Sequence, residues 1–402
     1  MGIEVRTPTD DDWAQLAYVD GRAFGMTYDQ KELEDQRPLL DLSRFRVACD
    51  GPEIVGVVGS FALDVTVPGG TTVPMGGVTW VSVSATHRRQ GILTRLMQEC
   101  HGDIDERGEP AATLGASESG IYERFGYGAA TFVRGTRIDI RGVELRAEFR
   151  PAAGSVRYMG HDEAATAVPE LWDRYRRTRV GEVSRDQTWH DRILGVWSRE
   201  RDEASEGFFL HHADGYAAYR VTQRWNDGFP HHELTLNEFA AVTPDAHAAL
   251  WHTLLNIDLV GTIVSRQIPI DDPLPYLLND FRALRTTNLH DGIWVNVRDI
   301  PICFGARNYA TEDRLVVEVS DGPEQGKRFA IEGGPDGGSC RAVRTKPDLT
   351  LTHAALGALL YGGVRASGLA AGRRLTARNA DVLRRADLFF TTSQAPLCQT
   401  MY

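Results

Sequence analysis

Val78-Thr79-Trp80-Val81-Ser82-Val83-Ser84-Ala85-Thr86-His87-Arg88-Arg89-Gln90-Gly91-Ile92-Leu93-Thr94-Arg95-Leu96-Met97 reads as a strand, a tight loop and the start of a helix. Val78 to Val83 is apolar and β-branched, the composition of a buried strand. Beyond the loop, Ile92, Leu96, Met97 and Cys100 fall on one face of a helical repeat. Arg88, Arg89 and Gly91 stand at the junction. A helix N-terminus leaves backbone N–H groups unpaired and carries partial positive charge, so it attracts phosphate. Gly91 lets a pyrophosphate approach the main chain without a Cβ in the way, and the arginines add charge-assisted donors. The alternative is a surface helix with a basic first turn. That arrangement has the wrong sign for the helix dipole unless an anion sits there.

The loop is neither the Gly-x-Gly-x-x-Gly dinucleotide fingerprint nor a P-loop, because no Gly-Lys-Ser/Thr follows. It is similar to the acyl-CoA pyrophosphate loop of the GNAT acetyltransferases, Arg/Gln-x-x-Gly-x-Gly/Ala, with Leu93 replacing the usual small last residue. A second feature follows at the distance of the next strand. Ala111 to Ala116 reads as a buried strand, Ser117-Glu118-Ser119-Gly120 as a turn and helix cap, and Ile121 to Gly128 comes next. The likeness to acetyl-CoA amine transferases implies that Tyr122, in a Tyr-x-x-x-Gly-Tyr segment, stands beside the thioester sulfur. Collapse of a tetrahedral intermediate expels a thiolate, which needs a proton. A thiol of pKa about 8.5 and a phenol near 10 are close enough for efficient transfer. Tyr122 is therefore the candidate acid and Tyr127 the second choice. Tyr127 and Phe125 read more readily as packing aromatics.

The chain has 402 residues, enough for two to three domains. Its formal charge of −11 argues against nucleic acid and anionic membranes as partners. Cys49, Cys100, Cys303, Cys340 and Cys398 are scattered and never in Cys-x-x-Cys spacing, so they suggest neither a disulfide framework nor a zinc site. His211-His212 and His231-His232 lack ligand spacing and accompanying carboxylates, and read as surface or turn residues; no metal site is expected. No basic-then-apolar leader opens the chain, and no apolar stretch has the length of a membrane span. A cytoplasmic enzyme is expected, although export by a non-classical route would leave no trace.

The organisation is that of a mixed α/β (α+β) protein in three parts. Residues 1–150 begin with Thr9 and Asp10–Asp12 at a helix start whose apolar face includes Trp13, Leu16, Val19 and Phe24. Strands follow at Phe45 to Val47, Ile54 to Leu63 and Val65 to Val67, and one through Thr131 to Ile140 is expected to complete the unit. Pro151-Ala152-Ala153-Gly154 marks the first boundary. Residues 151–287 repeat the style, but their helix at Ala246–Leu255 has no Arg-x-x-Gly loop before it. Residues 288–402 bring strands at Ile293–Val297, Leu315–Val319, Lys327–Ile331 and Leu349–Thr352, then apolar helices at Ala354–Leu360 and Asn379–Phe389.

Together these features resemble the Eis (enhanced intracellular survival) family of actinobacterial N-acetyltransferases. The matching stretches are Thr9–Trp13, Thr66–Gly69, Val78–Leu93, Ala116–Gly128, Asp214–Tyr216, Asp271–Leu277 and Asp291–Trp294. The resemblance implies tandem GNAT folds, the second without a CoA site, plus a C-terminal domain like sterol carrier proteins. It also implies a homohexamer, acetyl-CoA as cosubstrate, acetylation of amines on aminoglycoside antibiotics, and a C-terminal carboxylate acting as base. Carried onto this chain, Val81 and Val83 would present backbone groups to the pantetheine. Arg88, Arg89, Gly91, Ile92, Leu93 and Thr94 would hold the pyrophosphate, and Ser117 and Glu118 would line the CoA arm. Tyr122 would be the acid and the main-chain carboxylate of Tyr402 the base.

The sequence departs from the family where the antibiotic pocket is acidic. Met26 and Met401 occupy two such positions. Asp29 and Glu32, with Glu34 and Asp35, are candidates to restore negative charge, or they are solvent-facing helix acids. Trp80 and Phe24 are expected at the substrate mouth, with core packing the alternative for Phe24. Another amine, such as a polyamine or a protein lysine, is the competing substrate. A hydrophobe carrier built on the C-terminal apolar helices is the competing class.

Overall fold

The computed structural model describes residues 2–197 and 204–402, which form two compact units. The first comprises residues up to 131, 292–393 and 400–402; the second comprises 132–291 and 394–399.

The first unit opens with β1 (Glu4–Arg6), α1 (Trp13–Phe24), α2 (Gln30–Gln36), β2 (Arg46–Asp50), β3 (Glu53–Thr66) and β4 (Thr72–Val83). It continues through α3 (Ile92–Glu106), β5 (Ala111–Gly115), the one-turn α4 (Ser119–Tyr122) and β6 (Gly128–Ala129). Thr9 starts α1 through a 3-10 turn closed by a capping box with Asp12, whose carboxylate also takes a bidentate pair from Arg6. Leu16, Ala17 and Val19 pack α1 onto the sheet, and Gly25 stops it in the left-handed conformation at φ +69°. On the opposite helix, Ile92, Leu96, Met97, Cys100 and Ile104 are buried against the strands. Each such side chain stabilises the fold by about 1.5–3 kcal/mol. Beneath them a buried pair, Arg44 to Glu109 at 2.7 and 2.8 Å, ties β3 to the turn before β5, since Arg44 also donates to the Ser60 carbonyl.

The second unit is built from β7 (Phe132–Asp139), β8 (Arg157–Met159), α5 (His161–Arg176), α6 (Gln187–Trp197), β9 (Phe208–His212) and β10 (Gly215–Thr222). A small hairpin of β11 (Trp225–Asn226) and β12 (Phe229–Pro230) precedes β13 (His232–Ala241), α7 (Pro244–Leu255), β14 (Val260–Pro269), α8 (Leu274–Leu277) and β15 (Leu284–Asp291). Its seven strands run in the order β15-β7-β14-β13-β10-β9-β8. Phe132–Asp139 thus does not complete the first sheet, as the sequence suggested; it pairs antiparallel with β14 and β15.

A later strand takes the vacated place. β16 (Ile293–Val297) lies between β5 and β6, giving the first sheet the order β1-β2-β3-β4-β5-β16-β6. Four of its five residues are buried, which a central strand satisfies and an edge does not. The Ile293 carbonyl receives both the Ala130 and Thr131 amides, so the chain leaves this sheet where β16 enters it.

The rest of the first unit contains α9 (Ile300–Gly305), β17 (Asp313–Val319), β18 (Arg328–Gly334), β19 (Gly337–Ala342), β20 (Leu349–Leu351), α10 (His353–Leu360), α11 (Ala366–Ala371), β21 (Leu375–Ala377) and α12 (Ala380–Phe390). Its five strands follow the order β19-β18-β17-β20-β21. The fully buried Arg307 donates to the carbonyls of Leu359, Leu360 and Phe390, the open C-terminal groups of α10 and α12. Burial pulls this guanidinium down to about 10, still charged at neutral pH.

Candidate active site

β4 and β5 are parallel neighbours for three pairs only, Met75–Ala111 to Gly77–Thr113. Beyond them β4 runs on to Val83 with no strand partner on that side among the described residues. A β-bulge falls in this free stretch: Trp80 and Val81 together oppose Val58, and Trp80 takes φ +54°. Such a bulge turns the backbone out of the ladder, so its N–H and C=O groups face the gap between the strands.

The loop after β4 leads directly to the start of α3. Arg89 and Gly91 both have positive φ, +63° and +80°. Alternating conformations of this kind curl successive N–H groups around a concavity suited to an anion. Gly91 is the N-cap, no side chain caps the helix, and no acid lies in its first turn. A Cβ on Gly91 would meet nothing within 4 Å, so the concavity is open on that side.

A cavity of about 500 Å³ joins the gap to the helix start. Val81, Val83, Arg88, Arg89, Gly91, Ile92, Leu93, Thr94, Ser117, Glu118, Tyr122 and Phe24 line it, all expected from the sequence. Ala23, Ser82, His87, Ile121 and Arg124 also line it and were not singled out. The signal for His87 and Ser82 was their position within the same loop and strand. Arg124 and Ile121 flank Tyr122 on one short helical turn, where i+2 and i−1 positions carry no obvious pattern.

Tyr122 is buried, and that burial, with nearby Glu118 adding to it, pushes its phenol up to about 12. It is fully protonated at neutral pH. Tyr127 has a structural role: wholly buried, its hydroxyl meets His101 Nε2 at 2.8 Å. Tyr402 is not among the cavity residues. Its ring seats at the crotch of the parted strands, 3.1 Å from where a Gly77 Cβ would stand, with its hydroxyl 2.7 Å from Thr113 Oγ1.

Asp29 and Glu32 are elsewhere engaged. Asp29 Oδ1 accepts from the Glu32 amide at 2.8 Å and Glu32 Oε2 from the Asp29 amide at 3.0 Å, a reciprocal capping box for α2. Neither lines the cavity, and the Asp-x-x-Glu spacing itself was the signal for this role. Trp80 also stays outside the lining, as the hub of an aromatic cluster with Trp13, Tyr28 and Phe45 at 5.6–6.3 Å. The histidine pairs serve turns: His212 Nδ1 accepts from the Asp214 amide, and His232 meets the Arg224 backbone.

Parallel strands that part in front of an uncapped helix start are the mark of the GNAT acetyltransferases. Residues 4–130 and 181–298 each match a family model described as an acetyltransferase (GNAT) domain, and residues 300–399 match a sterol carrier protein domain. The chain is 35% identical over 406 residues to N-acetyltransferase Eis of Mycobacterium tuberculosis, with 98% of each sequence covered. It is 34% identical to an uncharacterized N-acetyltransferase of Streptomyces avermitilis, covering 93% of this chain and 92% of the relative. The crystal structure of Eis1 from Mycobacterium abscessus superposes with a TM-score of 0.90 at 29% identity, covering 99% of this chain and all of the other. The chain belongs to the Eis family of N-acetyltransferases, with two GNAT domains followed by a sterol-carrier-like one. Among the described residues, no helix is long and apolar enough to cross a membrane.

Proposed function

We propose that this N-acetyltransferase moves acetyl directly from acetyl-CoA to primary amines of aminoglycoside-type antibiotics, at the cavity between β4, β5 and α3. The observation that carries this reading is the uncapped, acid-free start of α3, opening with Arg88 and Arg89 onto that cavity. In this reading Arg88, Arg89, Gly91, Ile92, Leu93 and Thr94 hold the diphosphate. Val81 and Val83 offer backbone groups to the pantetheine, and Ser117 and Glu118 line its arm. Phe24, 45% exposed on the cavity wall, meets the acceptor.

The amine nitrogen attacks the thioester carbon, whose oxygen is polarised by free N–H groups at the Trp80–Val81 bulge. The C–S bond then breaks. Tyr122 gives its proton to the departing sulfur, and the ammonium proton leaves through the main-chain carboxylate of Tyr402. A phenol at about 12 is a weaker acid than the thiol it would form, whose ordinary value is about 8.5. The same dry surroundings raise a thiolate as well, since desolvation disfavours both anions, so the two move together. A free carboxylate of pKa near 3.5 is a poor base for an alkyl ammonium, and a bridging water or positional role for Tyr402 fits that gap. Tyr122→Phe is expected to lower kcat by about a hundredfold or more with CoA affinity retained. An unchanged rate would remove Tyr122 from the mechanism.

Met26 and Met401, 50% and 69% exposed, favour a second substrate reading, a polyamine or a protein lysine. Thiol release with kanamycin-type, polyamine and lysine-peptide acceptors separates the two. The family resemblance supports a homohexamer, which light scattering tests.

A further inference from the structure

Asp20 lies in the middle of α1, on the face that Ala23 and Phe24 present to the cavity three and four residues on. It is 3% exposed. Its Oδ2 accepts from the Tyr28 hydroxyl at 3.0 Å, while Oδ1 is buried without a hydrogen-bond partner among the described residues. Among the described residues, no arginine, lysine or histidine forms an ion pair with it. A buried carboxylate with no counter-ion and one unsatisfied oxygen is costly, and structural reasons alone select an amide or an apolar residue there.

The surroundings tie this group to the acceptor side of the site. Gly25 reverses the chain at the end of α1, and the Met26 amide returns to the Gly21 carbonyl at 2.8 Å. A Cβ on Gly21 would stand 2.8 Å from the Met26 carbonyl oxygen and 3.4 Å from the Tyr28 ring, so only glycine admits this close return. The return brings Tyr28 onto Asp20 and stacks its ring on Trp80, 6.0 Å between centroids and 15° between planes. Trp80 is the bulged residue next to Val81 on the cavity wall. Asp20, Tyr28 and Trp80 thus form one chain from a buried negative charge to the strand that faces the reacting carbonyl.

We propose that Asp20 selects the acceptor: held by Tyr28 behind Phe24 on the cavity wall, its carboxylate draws a protonated primary amine into the cavity and favours acceptors carrying more than one positive charge. The inference rests on the amine-acetylating function and adds the residue that sets acceptor charge. Alkyl amines, with pKa near 10.4, arrive as cations. A charge in a low-dielectric wall acts over the length of a helical turn with little screening. Burial pushes the carboxyl up to about 6 and the Tyr28 hydrogen bond opposes that rise, so it stays mostly ionised at neutral pH. Asp20 acts at a distance and through Tyr28, as a positioning residue.

The test compares KM for a monoamine (tyramine) and a polyamine (spermidine) in the wild type, Asp20→Asn and Tyr28→Phe. For Asp20→Asn, KM for spermidine is expected to rise by about tenfold or more, and more than KM for tyramine. Its kcat and its KM for acetyl-CoA should stay within about twofold of wild type. Tyr28→Phe keeps the charge and should raise both amine KM values by less. Unchanged amine KM values in Asp20→Asn, or equal losses for amine and acetyl-CoA, overturn the proposal. If Asp20→Asn does not fold, unchanged amine KM values in Tyr28→Phe overturn it. Wild-type protein that acetylates neither amine nor any aminoglycoside defeats the functional reading, whereas wild-type turnover with no change in the variants defeats only this inference.

Discussion

α3 and α7 occupy the same place in two sheets. Each leaves one strand and leads to its parallel neighbour, β4 to β5 and β13 to β14. Their first turns differ in every respect that matters to an anion. α3 begins at left-handed Gly91 with no cap, no acid and two arginines before it. α7 begins with the Thr243 hydroxyl accepting from the Ala246 amide at 3.2 Å, Pro244 in the first position and Asp245 in the first turn. Proline lacks the N–H that a phosphate needs, the threonine consumes another, and the aspartate repels what would come.

The gaps between the strands differ too. β13 pairs with β14 only as far as Leu236–Ser265, so a gap begins there as it does after Gly77. In the second unit it is closed from within. The Gln399 side-chain amide accepts from the Phe239 N–H at 3.2 Å and donates to the Phe239 carbonyl at 3.1 Å. The same side chain reaches Glu182 and Tyr175, and Glu182 also accepts from the Gln399 amide. Backbone groups that the proposed reading gives to a pantetheine in the first unit are here satisfied by the chain itself. In the proposed reading, one architecture becomes a binding site or a structural block according to a handful of residues at a helix start and a gap.

The comparison breaks most sharply if the first helix is given the start of the second. Gly91→Asp places a carboxylate at a φ of +80° in the anion's position and should weaken CoA binding by about a hundredfold or more in calorimetry. An affinity within twofold of wild type would mean that the diphosphate sits elsewhere. Opening the second gap tests the other half. Gln399→Ala leaves the Phe239 backbone and Glu182 short of partners, and should cost about 1–3 kcal/mol in denaturant unfolding. CoA stoichiometry should remain one per chain, because the start of α7 still refuses anions; a second bound equivalent would show that the plug alone had blocked the site. Smallest of the three, Thr243→Ala should cost about 1 kcal/mol with CoA affinity unchanged.

How much of this was legible follows from the range of each interaction. The strand, loop and helix of 78–97 rest on local periodicity and one glycine, and the cavity accordingly gathers nearly all the residues expected from that stretch. The exchange between sheets was not legible. Nothing local to Phe132–Asp139 records that its partners are 262–269 and 284–291, or that Ile293–Val297 fills the place beside β5. The bulge at Trp80 was hidden because positive φ at a tryptophan has no sequence mark. Asp29 and Glu32 carried their capping signature openly but were weighed only as charges. Asp20 was not singled out: an acid between Val19 and Gly21 reads as an ordinary helix residue, and only the burial of α1 gives it meaning.

The most direct measurement is a crystal structure of the wild-type chain grown with CoA. The account expects the two phosphates within hydrogen-bond distance of the amides from Arg89 to Leu93, flanked by the Arg88 and Arg89 side chains, with the pantetheine running along Val81 and Val83. A diphosphate bound away from that turn, leaving those amides to solvent, would contradict it.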